Sequence, residues 1–196
     1  MKTFIVLLAG LMVSATTANA DTIGDIAKAK CVKCHQEGTE HPTLGAQTKE
    51  FLYRSMIDYK TGARHSDGAV GMMAKRVKYL DDATIMGLAE WYSLTPAPIP
   101  VAGNPALIAA GKEIYEKGIA AKHVRSCAEC HGANGEGRGN NDGLNPRLAG
   151  QLWDYLVVQM QNYKAGLIDN QKEMTEIAGA MTDKEVEAVA IYLQSK

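Results

Sequence analysis

Apolar residues recur along the chain at helical spacing. Phe51, Leu52, Ser55, Met56 and Tyr59 form one stripe, and Tyr155, Leu156, Gln159, Met160 and Tyr163 repeat it further on. Residues three and four apart share a helix face, so both stretches are predicted as helices with one buried side. Gly62 and Gly166 stand where a left-handed C-terminal stop belongs. Two further stripes predict a closing helix in each half: Ile85, Leu88, Ala89 and Tyr92, then Val186, Val189, Ala190 and Leu193. Asp81 takes the cap of the first. Thr182 and Glu185 make a capping-box pattern for the second, with Asp183 in the positive first turn. An opening helix is clear over 107–115 and weaker over 23–30. No sustained period-two alternation is present, so the expected fold class is all-α with little or no sheet.

The stripes are one element written twice. Pro42-Thr43-Leu44-Gly45-Ala46-Gln47 corresponds to Pro146-Arg147-Leu148-Ala149-Gly150-Gln151 at an offset of 104. Phe51-Leu52, Met56, Tyr59-Lys60 and Gly62 correspond to Tyr155-Leu156, Met160, Tyr163-Lys164 and Gly166 at the same offset. Met73 and Leu80-Asp81-Asp82 match Met174 and Met181-Thr182-Asp183 at an offset of 101. Between the copies, residues 95–105 hold four prolines in eleven positions. Such a segment sustains neither a helix nor an inner strand and reads as a stiff, extended linker. The expected organisation is a leader over 1–20, an N-terminal unit over 21–94, the linker over 95–105 and a C-terminal unit over 106–196.

Composition changes this picture in two ways. The chain of 196 residues is 46% hydrophobic and 22% charged, an ordinary soluble balance, but only 6% aromatic. That is thin for two separate cores, and a large apolar cofactor could fill each of them. The first twenty residues have Lys2, an apolar run over 4–13 and Ala18-Asn19-Ala20 before Asp21. These are the three parts of a secretory signal peptide, and the apolar run is short for a membrane span. The expected location of the mature chain is therefore the periplasm of a bacterium. Without Lys2, 20 basic residues face 22 acidic ones, and a near-neutral chain argues against nucleic acid as a partner.

The candidate chemistry is a pentapeptide that also occurs twice, Cys31-Val32-Lys33-Cys34-His35 and Cys127-Ala128-Glu129-Cys130-His131. Cys-x-x-Cys-His is the attachment signal for c-type haem. Two thiols at this spacing can each form a thioether to one vinyl group of a single porphyrin, with the adjacent histidine beneath the iron. A zinc knuckle and a thioredoxin-like redox pair are the competing readings, and duplication behind an export signal favours haem. The expected cofactors are two covalently bound haem c groups on Cys31, Cys34, Cys127 and Cys130. All four cysteines fall in the motifs, which leaves none to form a disulfide. The run Gly132-Ala133-Asn134-Gly135-Glu136-Gly137-Arg138-Gly139 lacks the Gly-Lys-Ser/Thr ending and preceding strand of a phosphate loop, and reads as a loop wrapping the haem.

His35 and His131 are the expected proximal iron ligands, with Pro42 and Pro146 placed to offer a backbone carbonyl to the other ring nitrogen. His41, His65 and His123 have no counterpart in the other copy and read as surface residues. Met56 and Met160 fall within helix stripes, where packing is the default. Met73 and Met174 fall seven residues or so before the closing helix in what reads as irregular chain, and are the expected sixth ligands. Met72 competes with Met73, but Glu173 occupies the position equivalent to Met72. Thioether ligation favours ferrous iron and raises the potential, which suits electron transfer rather than catalysis.

With haem motif, proline loop, axial methionine and closing helix in each half, each unit resembles a class I cytochrome c. Two joined by a proline-rich linker resemble the cytochrome c4 family of dihaem cytochromes. The likeness is strongest from Ala110-Gly111-Lys112-Glu113-Ile114-Tyr115 through the second motif to Asn145-Pro146-Arg147-Leu148-Ala149-Gly150-Gln151. The resemblance implies two all-helical domains about a pseudo-twofold axis, haem propionates close together and fast exchange between the haems. It implies an electron carrier, not an enzyme, with redox proteins as partners. These would be a quinol-oxidising membrane complex on one side and a terminal oxidase or another periplasmic reductase on the other. Some relatives associate peripherally with the membrane. The first unit departs from the pattern: it has Gln36-Glu37-Gly38-Thr39-Glu40 in place of the glycine-rich loop. The two potentials are therefore expected to differ. The alternative is the dihaem electron-transfer subunit of a larger oxidoreductase, such as a flavocytochrome c sulfide dehydrogenase. Dihaem peroxidases need a longer chain, and thiosulfate-oxidising cytochromes use a cysteine outside the motif that this chain lacks.

Overall fold

The computed structural model describes residues 18–64, 70–137, 145–168 and 172–196. The leader lies outside them except for residues 18–20, which open the first helix.

Helix α1 (Ala18–Ala27) runs on through a π turn (Lys28–Val32) into α2 (Lys33–His35). Helix α3 (Lys49–Thr61) stops at Gly62, whose φ of 81° is the left-handed conformation that glycine adopts without strain. After α4 (Val70–Val77) comes α5 (Asp82–Ser93), capped by Asp81 accepting from Thr84 N–H. The second half repeats this order. Helix α6 (Pro105–Lys117) begins with Pro105 in its first turn and Asn104 as cap, α7 is Ala128–His131, and α8 is Trp153–Lys164. Then come α9 (Lys172–Ala180) and α10 (Asp183–Gln194), the latter with the Thr182/Glu185 capping box formed in both directions. Among the described residues the only β pairing is two isolated bridges, Arg64 with Ile168 and Ile119 with Val124.

Two of these helices depart from expectation. The segments carrying Met73 and Met174, read as irregular, are helices α4 and α9. Each is short and carries a glycine, Gly71 or Gly179, which dilutes the helical signal. The periodicity is nonetheless there: Val70, Met73, Ala74 and Val77 recur at helical spacing, as do Met174, Ile177, Ala178 and Met181.

The predicted stripes make the cores. In the first half, Leu88, Ala89 and Tyr92 of α5 pack with Ala27 of α1 and Leu52 of α3. In the second, Tyr115 of α6 and Leu156 of α8 meet Ala190, Tyr192 and Leu193 of α10. A neighbouring cluster joins Val124, Met181 and Val186. Gly111 sets how closely α6 and α10 approach, since a Cβ there would lie 2.0 Å from the Ala188 carbonyl oxygen. The proline-rich segment runs between the halves and is tied to both: Ile99 N–H donates to Glu37 Oε1 at 3.2 Å, and Val101 N–H donates to Gln194 O at 3.0 Å. Among the described residues no helix is long and apolar enough to cross a membrane.

Candidate functional site

Both pentapeptides line one cavity of about 720 Å³ that extends through both units. Cys127 precedes α7, while Cys130 and His131 lie on it, so positions i, i+3 and i+4 share a helix face. In the first unit the same spacing is carried by the π turn and α2. Single π turns are rare in helices and concentrate at functional sites.

In each unit the histidine is oriented by a proline carbonyl. His35 Nδ1 lies 2.8 Å from Pro42 O, and His131 Nδ1 lies 3.0 Å from Pro146 O. A carbonyl only accepts, so Nδ1 carries the proton and Nε2 keeps its lone pair for a metal. The prolines stand seven and fifteen residues after their histidines, yet both reach the same ring atom. Burial pushes both imidazoles below their ordinary pKa, with the proline carbonyl opposing it; at His35 the neighbouring His41 adds to the fall. Neutral imidazole is the metal-binding form.

Burial also raises the Cys31 thiol and pushes Cys127 up to about 11. A zinc knuckle needs a third and fourth ligand beside the two thiols, and among the described residues no three His, Cys, Asp or Glu side chains are grouped to hold a metal ion. The geometry thus fits a porphyrin rather than a zinc knuckle. Paired thiols and a single oriented imidazole border a large apolar space, with methionines on its other walls.

Met73 on α4 and Met174 on α9 line the cavity, as do Met56 and Met160 from the α3 and α8 stripes. Met72 reaches it too but is 45% exposed, whereas Met73 is half-buried. His123 is exposed, and His65 lies outside the described residues. His41, expected at the surface, is instead half-buried and lines the cavity, its ring centroid 6.1 Å from that of His35. Because Pro42 must reach His35, the residue before it is carried inward.

The altered loop of the first unit has its own supports. Thr39 Oγ1 shares its one proton between Cys34 O at 2.5 Å and Gln36 O at 2.9 Å, and Glu37 receives the linker. In the second unit the glycine-rich loop folds back, with Gly137 N–H on His131 O at 2.8 Å and Leu148 N–H on Gly135 O at 2.7 Å.

The two cysteine edges differ in charge. Lys30 and Arg76 lie near Cys31 and, with Lys75, line the cavity, are exposed and make no ion pair among the described residues. Near Cys130, Arg125 is held by Glu129 at 3.2 Å and Glu173 at 2.6 Å, two carboxylates that outweigh its charge.

Three functional residues escaped the sequence reading. Arg64 is 7% exposed and pins α3 to α8. Its Nη1 donates to Ser55 Oγ at 2.9 Å, and its Nη2 donates to Gln159 Oε1 at 2.6 Å and Tyr155 OH at 3.3 Å. The guanidinium lies over the Tyr59 ring at 5.0 Å. A lone charge after a helix stop reads as solvated; the available signal was its register partner Ile168, an apolar residue at the offset of 104. Gln47 and Gln151 appear in the repeat, but nothing in their spacing shows that each is buried against the opposite unit. Gln47 Nε2 donates to Arg147 O at 2.9 Å, and Gln151 Nε2 donates to Thr43 O at 2.9 Å.

Comparison with known proteins gives the same architecture. The cytochrome c family profile matches residues 108–196. The chain is 30% identical to cytochrome c4 of Thiocapsa roseopersicina over 84% of this chain and 85% of that one. It is 29% identical to the thiosulfate dehydrogenase electron acceptor of Thiomonas intermedia, covering 86% and 79% of the two chains. Among solved structures it superposes on cytochrome c4 of Acidithiobacillus ferrooxidans with a TM-score of 0.78 at 29% identity, over 86% of this chain and 99% of that one.

Proposed function

The chain belongs to the dihaem cytochrome c4 family, with two covalently bound haem c groups, and from that premise we propose that it is a periplasmic electron carrier rather than an enzyme. It takes electrons from a respiratory donor such as a quinol-oxidising complex and passes them to a terminal oxidase or reductase. Residues 1–20 are the cleaved signal, 21–94 and 106–196 the two cytochrome domains, and 95–105 their linker. Haem, when bound, supplies a one-electron couple at iron. Cys31 and Cys34 hold one group, Cys127 and Cys130 the other. His35 and His131 would bind the iron of each group, and Met73 and Met174 would be the second protein ligands.

The observation that carries this reading is the duplicated histidine geometry, each Nδ1 bound to a proline carbonyl in a cavity that Met73 and Met174 also line. A protein ligand on both faces of iron changes little on reduction, and leaves no position for substrate. The matched relative that accepts electrons from thiosulfate dehydrogenase favours a second reading of the donor, in which a thiosulfate-oxidising dehydrogenase delivers the electrons.

A pyridine haemochrome assay should return two haems per chain, and a redox titration resolved by spectrum should give two one-electron steps. Rapid binding of carbon monoxide by the ferrous protein at either haem would refute the closed sixth position there.

A further inference from the structure

Two hydrogen-bond chains cross between the units, and each is a copy of the other. In the first, His35 Nδ1 bonds Pro42 O at 2.8 Å, and the other end of the same peptide group, Thr43 N–H, donates to Gln151 Oε1 at 3.0 Å. In the second, His131 Nδ1 bonds Pro146 O at 3.0 Å, and Arg147 N–H donates to Gln47 Oε1 at 2.6 Å. Thr43 and Arg147 are register equivalents, as are Gln47 and Gln151. Each glutamine therefore grips, from one unit, the peptide group that orients the histidine of the other.

The grip is well defined. Both glutamines are 6% exposed, and each returns an Nε2–H bond to the carbonyl of the residue whose N–H it accepts. Each Oε1 takes a second backbone donor, Thr48 N–H at 2.9 Å for Gln47 and Leu152 N–H at 3.1 Å for Gln151. Two backbone donors on oxygen, joined at Gln151 by the Thr43 hydroxyl at 3.3 Å, and an acceptor opposite nitrogen settle which way each amide faces.

A peptide group that donates through N–H moves electron density onto its carbonyl oxygen, because the two ends share one resonance system. The oxygen becomes a better acceptor and draws the imidazole proton further. An imidazole polarised at Nδ1 is a more basic ligand through Nε2. A more basic ligand stabilises ferric iron and lowers the potential.

We propose that Gln47 and Gln151 are positioning residues that act crosswise: Gln151 sets the donor strength of His35, and Gln47 that of His131. Each haem's potential is then held partly by the unit that does not bind it. This rests on His35 and His131 being the axial ligands.

The test uses the full-length holoprotein, with each haem followed by its own haem-methyl NMR resonances during a redox titration. Gln151→Met retains side-chain length but neither accepts nor returns the bonds. It should raise the potential of the first haem and move the His35 Nδ1 proton to a weaker hydrogen bond, with the second haem much less affected. Gln47→Met should do the same to the second haem and His131. Gln151→Glu keeps an acceptor for the Thr43 N–H but gives up the Nε2–H bond to Thr43 O, and should lower the first potential relative to Gln151→Met. Shifts confined to the haem of the mutated unit, equal shifts at both haems, or unchanged potentials each overturn the crossed assignment. The axial reading fails separately, if the His35 or His131 ring shows no hyperfine shift in the wild-type ferric protein.

Discussion

Gly111→Ala should destabilise the protein although it replaces a poor helix former with the best. Gly111 lies inside α6, where alanine is favoured over glycine by about 1 kcal/mol. Against that gain stands the closest approach between α6 and α10. An added Cβ would lie 2.0 Å from Ala188 O, 2.6 Å from Ala188 C and 2.8 Å from Tyr192 Cβ. Two of these atoms are backbone, so no rotamer change relieves the overlap and the helices must part. Parting them loosens Tyr115, which is fully buried, and its partner Tyr192 at 5.5 Å between ring centroids.

Overpacking a core of this kind costs up to about 3 kcal/mol, which leaves a net loss of about 2 kcal/mol. For a unit of this size each kcal/mol moves the midpoint by roughly 4–8 °C, so thermal unfolding of the holoprotein should begin about 10 °C lower, in the second unit. Gly87 in α5 provides the internal control. A Cβ there meets Ile23 Cδ1 at 2.8 Å and Cγ1 at 2.9 Å, side-chain atoms near the start of the chain that can shift where backbone cannot. Gly87→Ala should therefore stay within about 1 kcal/mol of wild type. The reasoning is refuted if Gly111→Ala melts at or above the wild-type temperature, or if the two variants lose the same amount.

Met174→Ala and Met73→Ala should each lower the potential of one haem and admit carbon monoxide to it, read by spectroelectrochemistry and by ligand binding to the ferrous protein. An unchanged spectrum removes that methionine from the ligand set. Glu185 is held down to about 2 from an ordinary 4.5 by hydrogen bonds from Lys122 and from the Thr182 N–H. A carboxylate depressed in the folded state adds stability that is full above its ordinary value and is lost as pH falls toward 2. Glu185→Gln should therefore destabilise at pH 7, and the gap to wild type should close on acidification; a gap independent of pH contradicts this. Lys30, Lys75 and Arg76, which make no ion pair among the described residues, should make the first haem react several-fold faster with anionic ferricyanide than the second at low ionic strength, with salt abolishing the difference. Stopped-flow oxidation resolved by haem checks it, and equal rates at low salt count against the charge assignment.

Much of the molecule was legible in local spacing. The pentapeptides declare their chemistry within five residues each. The caps at Asp81 and at Thr182 with Glu185, and the stripes of α3, α5, α8 and α10, depend only on neighbours three or four positions away. Even the carbonyls of Pro42 and Pro146 were reachable, because the repeat marks them twice. Helices α4 and α9 were missed for a local reason too, their short length and internal glycine.

How the two copies meet is settled only in three dimensions. Apolar periodicity says that a face is buried and is silent about which polar groups cross the seam. The partner of Gln47 lies 100 residues away and that of Gln151 lies 108. Arg64 reaches acceptors 91 and 95 residues off. Such bonds are set by the docking of one unit on another, and a glutamine or arginine outside that context reads as solvated surface. The sequence by itself determined two haem-binding units and the orienting carbonyl in each. The packed interface decided that each unit also holds the peptide behind the other's histidine, because hydrogen bonds answer to position in space rather than to distance along the chain.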